Sequence, residues 1–439
     1  MTIAQAAIPR RRWQIAALLG VGVLINYLDR LNMSVAMPQL RAQFHLDARE
    51  AGLILGAFFW SYMLLQIPAG LLLDRHGTER TGRWGSLLWA IASLVAALAS
   101  GLGGFITARL LLGAAEAPCF PLCSKATGYW FPRQERGFAT ALFDAAAKFS
   151  NVIGVPLIAG VVVWAGWRWG FGLTAALSFA YFMAFSRFYR DPSRDRALGE
   201  RERLHIAAGG ALDERRATAP PLHMLGHLLR QPVLWGLMIG FGAYGYSFYL
   251  YLTWLPGFLV QSMHMSLLTS AGYTAIPWVV ATLADLLVGG WLIDTLIARG
   301  CNEARVRMGV LLGGMTLGMA VFAAAWTSNA HWAILWISIA LGGLAAAAPV
   351  CWSLPALIAP PGSVASVGAL MNMANNAMGG VAPVVTGYIV GATDSFDNAF
   401  LVAGAVLTTG IIAFAWALRG LKPIPDLHHP LTREPDNHE

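Results

Sequence analysis

Trp13-Gln-Ile-Ala-Ala-Leu-Leu-Gly-Val-Gly-Val-Leu-Ile-Asn26-Tyr27-Leu28-Asp29-Arg30-Leu31-Asn32-Met33-Ser34-Val-Ala-Met37-Pro38 is the stretch on which the reading of this chain turns. It is long enough to cross a bilayer, since a spanning helix needs about 20 mostly apolar residues. Asp29 and Arg30 fall near its middle. A charge at mid-membrane costs about 2.5–3.5 kcal/mol on insertion scales, so a spanning helix carries one only for a reason. One of these two charges is titratable and the other permanent, which reads as a proton carrier beside a hook for an anion.

The rest of the chain matches this beginning. Of 439 residues, 57% are hydrophobic and 12% charged, and the mean hydropathy is +0.57. Soluble domains carry about 25% charged residues. Twelve apolar runs are centred near residues 25, 62, 91, 114, 150, 177, 245, 282, 316, 344, 377 and 409. They are too long and too uniformly apolar for barrel strands, so helices are the expected spanning form. The first run has no small-residue cleavage site before Pro38 and is not read as a secretory signal. Cys119, Cys123, Cys301 and Cys351 lie in or beside apolar runs without ligand-spaced partners, so packing is expected rather than a metal site or a disulfide framework.

The net charge of +7 is topological. With the N terminus placed inside, the inside segments hold 22 of the 30 Lys/Arg: Arg10–Arg12, Arg75, Arg80, Arg83, Arg133, Arg136, eight between 190 and 231, Arg299, Arg305, Arg307, Arg419, Lys422 and Arg433. The outside segments hold only Arg41, Arg49 and Arg168. This asymmetry places both termini in the cytoplasm and removes any need for a nucleic-acid partner.

The polar stretch 190–231 is the only long loop and divides the chain in two. The expected organisation is a six-helix bundle over 1–189, a cytoplasmic linker over 190–231, a second six-helix bundle over 232–420 and a cytoplasmic tail over 421–439. An internal repeat supports it. Gly70-Leu-Leu-Leu-Asp74 closes the second run and Gly290-Trp-Leu-Ile-Asp294 the eighth. Pro156 and Gly160 of the fifth run return 227 residues later as Pro383 and Gly387. Parallel six-helix repeats are a transporter architecture with the substrate site where the repeats meet.

Gly70-x-x-x-Asp74-Arg75-x-Gly77-x-x-Arg80 resembles the signature loop of the major facilitator superfamily. Glycine there permits close helix approach, and Asp74, Arg75 and Arg80 can form a charge cluster. Within that superfamily, Asn26-Tyr27-Leu28-Asp29-Arg30-Leu31-Asn32-Met33-Ser34 resembles the first-helix motif of the anion:cation symporter family. Arg109-Leu-Leu-Leu-Gly113-Ala-Ala-Glu116-Ala-Pro118-x-Phe120-Pro121, Trp130-Phe131-Pro132-x-x-Glu135-Arg136-Gly137 and Tyr249-x-x-x-Thr253-Trp254-Leu255-Pro256 agree with it. The resemblance implies an all-α integral membrane protein of twelve transmembrane helices in two six-helix halves. It also implies a bacterial inner-membrane importer of sugar acids, dicarboxylates or related small organic anions, usually with protons. In its terms Asp29 and Glu116 are the proton-linked carboxylates, and Arg30 and Arg109 are anion-binding or gating arginines. Tyr27, Tyr62, Asn372 and Asn376 contact substrate, and Gly70, Asp74, Arg75, Gly77, Arg80, Glu135 and Arg136 belong to the gating loops.

The residues also carry a reading of their own. Arg109 and Glu116 are two helical turns apart and share a face. Burial in hydrocarbon favours a neutral carboxyl, which makes Glu116 a proton acceptor. Arg30, beside Asp29, is expected to keep it ionised until an anion engages the arginine and frees Asp29 to take a proton. The alternative is a set of neutral internal ion pairs that hold helices together, with the two tyrosines as packing residues.

Lys148 lies deep in the fifth run with Asp144 one turn before it. An Asp–Lys pair at i,i+4 is one explanation. The other is a cavity lysine that, with Arg30, favours a dianion such as a dicarboxylate or a sulfonated carboxylate. The repeat offset carries Lys148 to Asn375, and Asn372, Asn375 and Asn376 are amides able to bind carboxylate or hydroxyl oxygens. Asp285 is a further acid in the eighth run, either paired or on a proton route. No Gly-x-x-x-x-Gly-Lys-Ser/Thr, His-Glu-x-x-His or Gly-x-Ser-x-Gly occurs, so neither nucleotide hydrolysis nor an enzyme is expected. No cofactor beyond the coupling proton is expected, and the chain is expected to act as a monomer in the bilayer. A sensor on the same scaffold and a drug:proton antiporter are the competing readings. Arg30 and Lys148 are poor lining for a lipophilic cation.

Overall fold

The structure is a computed structural model that describes residues 10–132, 135–211, 222–327, 329–359, 364–419 and 424. Among the side chains discussed above, those of Asp74, Asp294 and Arg136 lie outside the described set, as do Arg133, Arg215, Arg216, Lys422 and Arg433. The described residues are helical, in the order α1 (Arg11–Phe44), α2 (Ala48–Leu98), α3 (Leu102–Glu116), α4 (Cys119–Trp130), α5 (Arg136–Ala165), α6 (Trp167–Phe188), α7 (Glu200–Ala208) and α8 (Leu222–Leu229). Then come α9 (Pro232–Gln261), α10 (Leu267–Ala284), a π-helical stretch (Asp285–Leu292), α11 (Ile293–Ala298), α12 (Glu303–Gly318), α13 (Val321–Ala325), α14 (Ala330–Ile358), α15 (Val364–Thr393) and α16 (Asp397–Ala417).

Eleven stretches of the described residues are long and apolar enough to cross a membrane. The 30-residue α15 is the twelfth expected span, and Asn372, Asn375 and Asn376 lower its hydropathy. At about 1.5 Å per residue it exceeds the ~30 Å hydrocarbon core. α5 and α15 are both 30 residues long with proline inside, at Pro156 and Pro383.

Several spans are not the continuous helices the apolar runs suggest. α2 contains two spans joined at Gly77, whose φ of 79° is a left-handed conformation that glycine adopts at little cost. α3 ends directly after Glu116, because Pro118 supplies no backbone N–H to continue it. α10 passes through the π-helical stretch, which opens at Asp285. Such stretches often mark functional positions.

The chain forms two compact units. The first holds residues 1–219, 252–279 and 383–395, and the second residues 220–251, 280–382 and 396–439. In the first, α1 packs on α5 and α6, while α2 packs on α3 and α6. Exposed Trp164 and Trp169 sit at one end of its helices and Trp84 near the other, as in a two-sided interfacial belt. In the second, α12 packs on α14 and α16, with exposed Trp326 and Trp332 at one end and Trp291 and Trp416 towards the other.

An ionic clasp fastens the start of α1. Glu202 of α7 is fully buried and accepts the backbone N–H groups of Arg11 and Arg12, both at 3.1 Å, and Arg12 Nη1 at 2.9 Å. It does from another helix what an N-cap side chain does locally. Arg11 bonds Asp195 at 2.9 Å, and Arg12 bonds Glu135 at 2.7 Å. His205 bonds Glu135 at 3.0 Å. The Arg12 guanidinium holds the Glu135 carboxyl below the usual range, against the opposing effect of its partial burial.

Candidate functional site

The first unit buries a polar cluster at the heart of α1, α2, α3 and α6. Asp29, Arg30, Arg109 and Glu116 are each at most 4% exposed. Arg30 Nε donates to Glu116 Oε2 at 2.8 Å. Its guanidinium lies over three rings, with Cζ 4.7 Å from the centroids of Tyr27 and Phe58 and 4.9 Å from that of Tyr62. Arg109 lies over Phe58 as well, at 4.9 Å. Phe58 therefore touches both guanidinium groups, and a desolvated cation over a ring gains about 2 kcal/mol.

Close backbone approach sets this geometry. Gly113 lies between Arg109 and Glu116 on α3, where a Cβ would stand 2.2 Å from Phe58 O and Ser61 Oγ. Only glycine brings α3 down onto α2, so that Phe58 and Tyr62 reach the arginines.

Asp29 is not bonded to Arg30, which corrects the expectation from their adjacency. Its Oδ1 accepts from Ser93 at 2.6 Å and its Oδ2 from Ser178 at 2.7 Å. Neighbouring residues on a helix point about 100° apart, so α1 turns Asp29 towards α2 and α6 and Arg30 towards α3. Serine gives the carboxylate hydrogen bonds without a compensating charge.

Arg109 and Glu116 keep hydrogen-bonding atoms unused. Arg109 Nε and Nη1 and Glu116 Oε1 are buried without a hydrogen bond. A buried polar group left unsatisfied costs about 1–3 kcal/mol, and more when charged. The arrangement offers donors for an anion and an acceptor for a proton.

Lys148 Nζ donates to Asp144 at 2.8 Å, so the i,i+4 pair is present. Tyr27 lies within electrostatic reach of Arg30, Asp144, Lys148 and Glu116. Cys119 and Cys123 are buried free thiols. Close approach at Gly70 is not found, since a Cβ there would meet nothing within 4 Å. Arg75 and Arg80 are exposed.

The second unit has a smaller polar group. Tyr249 Oη donates to Asn376 Oδ1 at 3.2 Å, and Asn376 Nδ2 donates to Asn372 O and Oδ1, both at 2.8 Å. Asn375 Oδ1 is buried without a partner, and it lies against Gly245 of α9. Phe58, Ser93 and Ser178 are the site residues that sequence reasoning missed. Each looks like an ordinary member of an apolar run, and the one available signal was the scattered hydroxyls of the third and sixth runs.

The Major Facilitator Superfamily matches residues 19–383. The chain belongs to the Major Facilitator Superfamily. It is a membrane transporter and not an enzyme, with the twelve-helix fold of that superfamily. It is 40% identical over 414 residues to the uncharacterised transporter YybO of Bacillus subtilis, covering 94% of this chain and 95% of the relative. It is 31% identical to the probable sulfoacetate transporter SauU of Cupriavidus necator, covering 92% and 93%. To the probable galactarate/D-glucarate transporter GudP of Escherichia coli it is 30% identical, covering 94% of both. Among solved structures, a bacterial homologue of the human lysosomal transporter Spinster superposes with a TM-score of 0.70 at 18% identity, over 94% of this chain and 97% of that one. That likeness supports the fold alone.

Proposed function

We propose that this superfamily member is a proton-coupled importer of a small organic anion, working by alternating access in the bacterial inner membrane as a monomer with both termini in the cytoplasm. The observation that carries the reading is the buried quartet of Asp29, Arg30, Arg109 and Glu116, neutral when both acids are ionised, with Arg109 N–H donors and one Glu116 oxygen unused. An anion on the arginines adds a negative charge to a closed low-dielectric site. Uptake of a proton by Glu116 or Asp29 restores neutrality, so each event favours the other.

In this reading Arg30, Arg109, Tyr27 and Tyr62 bind substrate, and Asn372 and Asn376 contribute amide groups. Lys148 is a second cation near Tyr27, which favours dianions. The relatives named for galactarate, glucarate and sulfoacetate support that class, since each of these compounds carries two acidic groups. Sulfonates belong in the same panel as dicarboxylates.

Thermal stabilisation of the purified protein near pH 6 tests the reading, across aldonates, hexuronates, dicarboxylates and sulfocarboxylates, with lipophilic cations as controls. A ligand at 100 times its Kd adds about 2.7 kcal/mol. A dianion should stabilise the protein, and the effect should vanish in Arg109→Gln and weaken in Lys148→Ala. Response only to cations would overturn the anion reading, and response only to monoacids would return Lys148 to a structural partner of Asp144.

A further inference from the structure

A groove of about 550 Å³ lies in the second unit, between the first turns of α12 and the end of α16. This volume is within the ~300–1,000 Å³ of pockets that hold a small molecule. Arg305, Met308, Gly309 and Leu312 line it with Leu418. Their spacing of i, i+3, i+4 and i+7 places the four α12 residues on one helix face. The charged residue is at the helix end of the stripe and the apolar residues run inward from it, over about 10 Å at 1.5 Å per residue.

The charges around the mouth leave Arg305 available. Glu303, the acid two residues away, is bonded to Arg307 at 2.9 Å, and Arg307 also bonds Ser353 Oγ at 2.9 Å. Asn302, at the mouth, uses its side-chain oxygen to cap the N–H of Arg305 at 3.0 Å. Among the described residues no acid is bonded to the Arg305 guanidinium, which is exposed. Trp416, two residues before the groove's Leu418, is 49% exposed and marks the interfacial level of the bilayer. The floor is open because residue 309 is glycine, and a Cβ there would meet no atom within 4 Å.

We propose that this groove binds an anionic phospholipid, with its phosphate on Arg305 and the upper part of one acyl chain along Met308, Gly309 and Leu312. A cation at headgroup level above an apolar channel at acyl level matches the two ends of such a lipid, and a zwitterionic lipid gains less from the unpaired arginine. The site lies outside the polar cluster of the first unit and does not depend on the transport reading.

Native mass spectrometry of the full-length protein tests it, after delipidation and titration with phosphatidylglycerol or phosphatidylcholine. One arginine at the membrane surface adds about 1 kcal/mol towards anionic lipid, so phosphatidylglycerol should be retained about fivefold more strongly. Arg305→Gln should bring that ratio close to one. Gly309→Leu puts a side chain into the floor where a Cβ would meet no atom within 4 Å, and it should reduce retention of both lipids. Inorganic phosphate at matched concentration should not compete. Equal retention of the two lipids by the unmodified protein would overturn the proposal. So would unchanged phosphatidylglycerol retention in both variants, or displacement by inorganic phosphate.

Discussion

Glu116→Gln replaces a carboxylate by an amide of nearly the same shape and leaves Arg30 without its counter-ion. The pair is 2.8 Å apart, with side chains 2% and 0% exposed. With charge centres about 4 Å apart and an effective dielectric near 20, the attraction is about 4 kcal/mol. That agrees with the ~3–5 kcal/mol lost when one partner of a buried pair is removed. Arg30→Gln should cost at least as much, because it also removes the guanidinium from the rings of Tyr27, Phe58 and Tyr62. The double variant removes both charges and should cost far less than the sum. Unfolding by increasing mole fraction of SDS in mixed micelles gives the four free energies of the cycle. A coupling of about 2 kcal/mol or more is expected. Costs that add within about 0.5 kcal/mol would refute the pairing as an energetic unit, and with it the charge-balance argument.

Three other outcomes follow from the geometry. Gly113→Val should disrupt the site while leaving the helices formed, because its Cβ would stand 2.2 Å from Phe58 O; circular dichroism should be unchanged and ligand-induced stabilisation lost. Glu202→Ala should cost a few kcal/mol, about 1 for the lost cap and about 1.5–3 for the lost charged hydrogen bond to Arg12, which keeps Glu135, read as a lower SDS midpoint. The Glu135 carboxyl is held low chiefly by its Arg12 hydrogen bond. A depressed carboxylate contributes stability above its unfolded value of about 4.3, and loses it as pH falls through the folded value. Melting temperature should therefore fall on acidification below about pH 4.3, and less steeply in Glu135→Gln.

The spans, and the charges inside them, were legible because a charged residue in an apolar run stands out against its neighbours. Asp29, Arg30, Arg109 and Glu116 were found that way, and the structure gathers all four. Their pairing was not legible. Adjacency in sequence pointed to Asp29 with Arg30, whereas helix geometry separates the two and assigns Arg30 to a glutamate 86 residues away. Ser93 and Ser178 lie 64 and 149 residues from Asp29, and a serine in an apolar helix has no pattern of its own. Phe58 escaped for a related reason, since a ring beneath a guanidinium has the same sequence signature as a packing residue. Glu202 looked like one more charge in a polar linker until α7 laid it under the start of α1.

The central claim is that anion entry is coupled to protons through this cluster. Uptake of a labelled dianion, galactarate or sulfoacetate, into proteoliposomes tests it, with an imposed gradient that is acid outside. The account predicts accumulation above the external concentration, abolished by a protonophore and absent in Asp29→Asn and Glu116→Gln even where these variants still bind the ligand. Accumulation indifferent to the pH gradient, or retained in both variants, would contradict it.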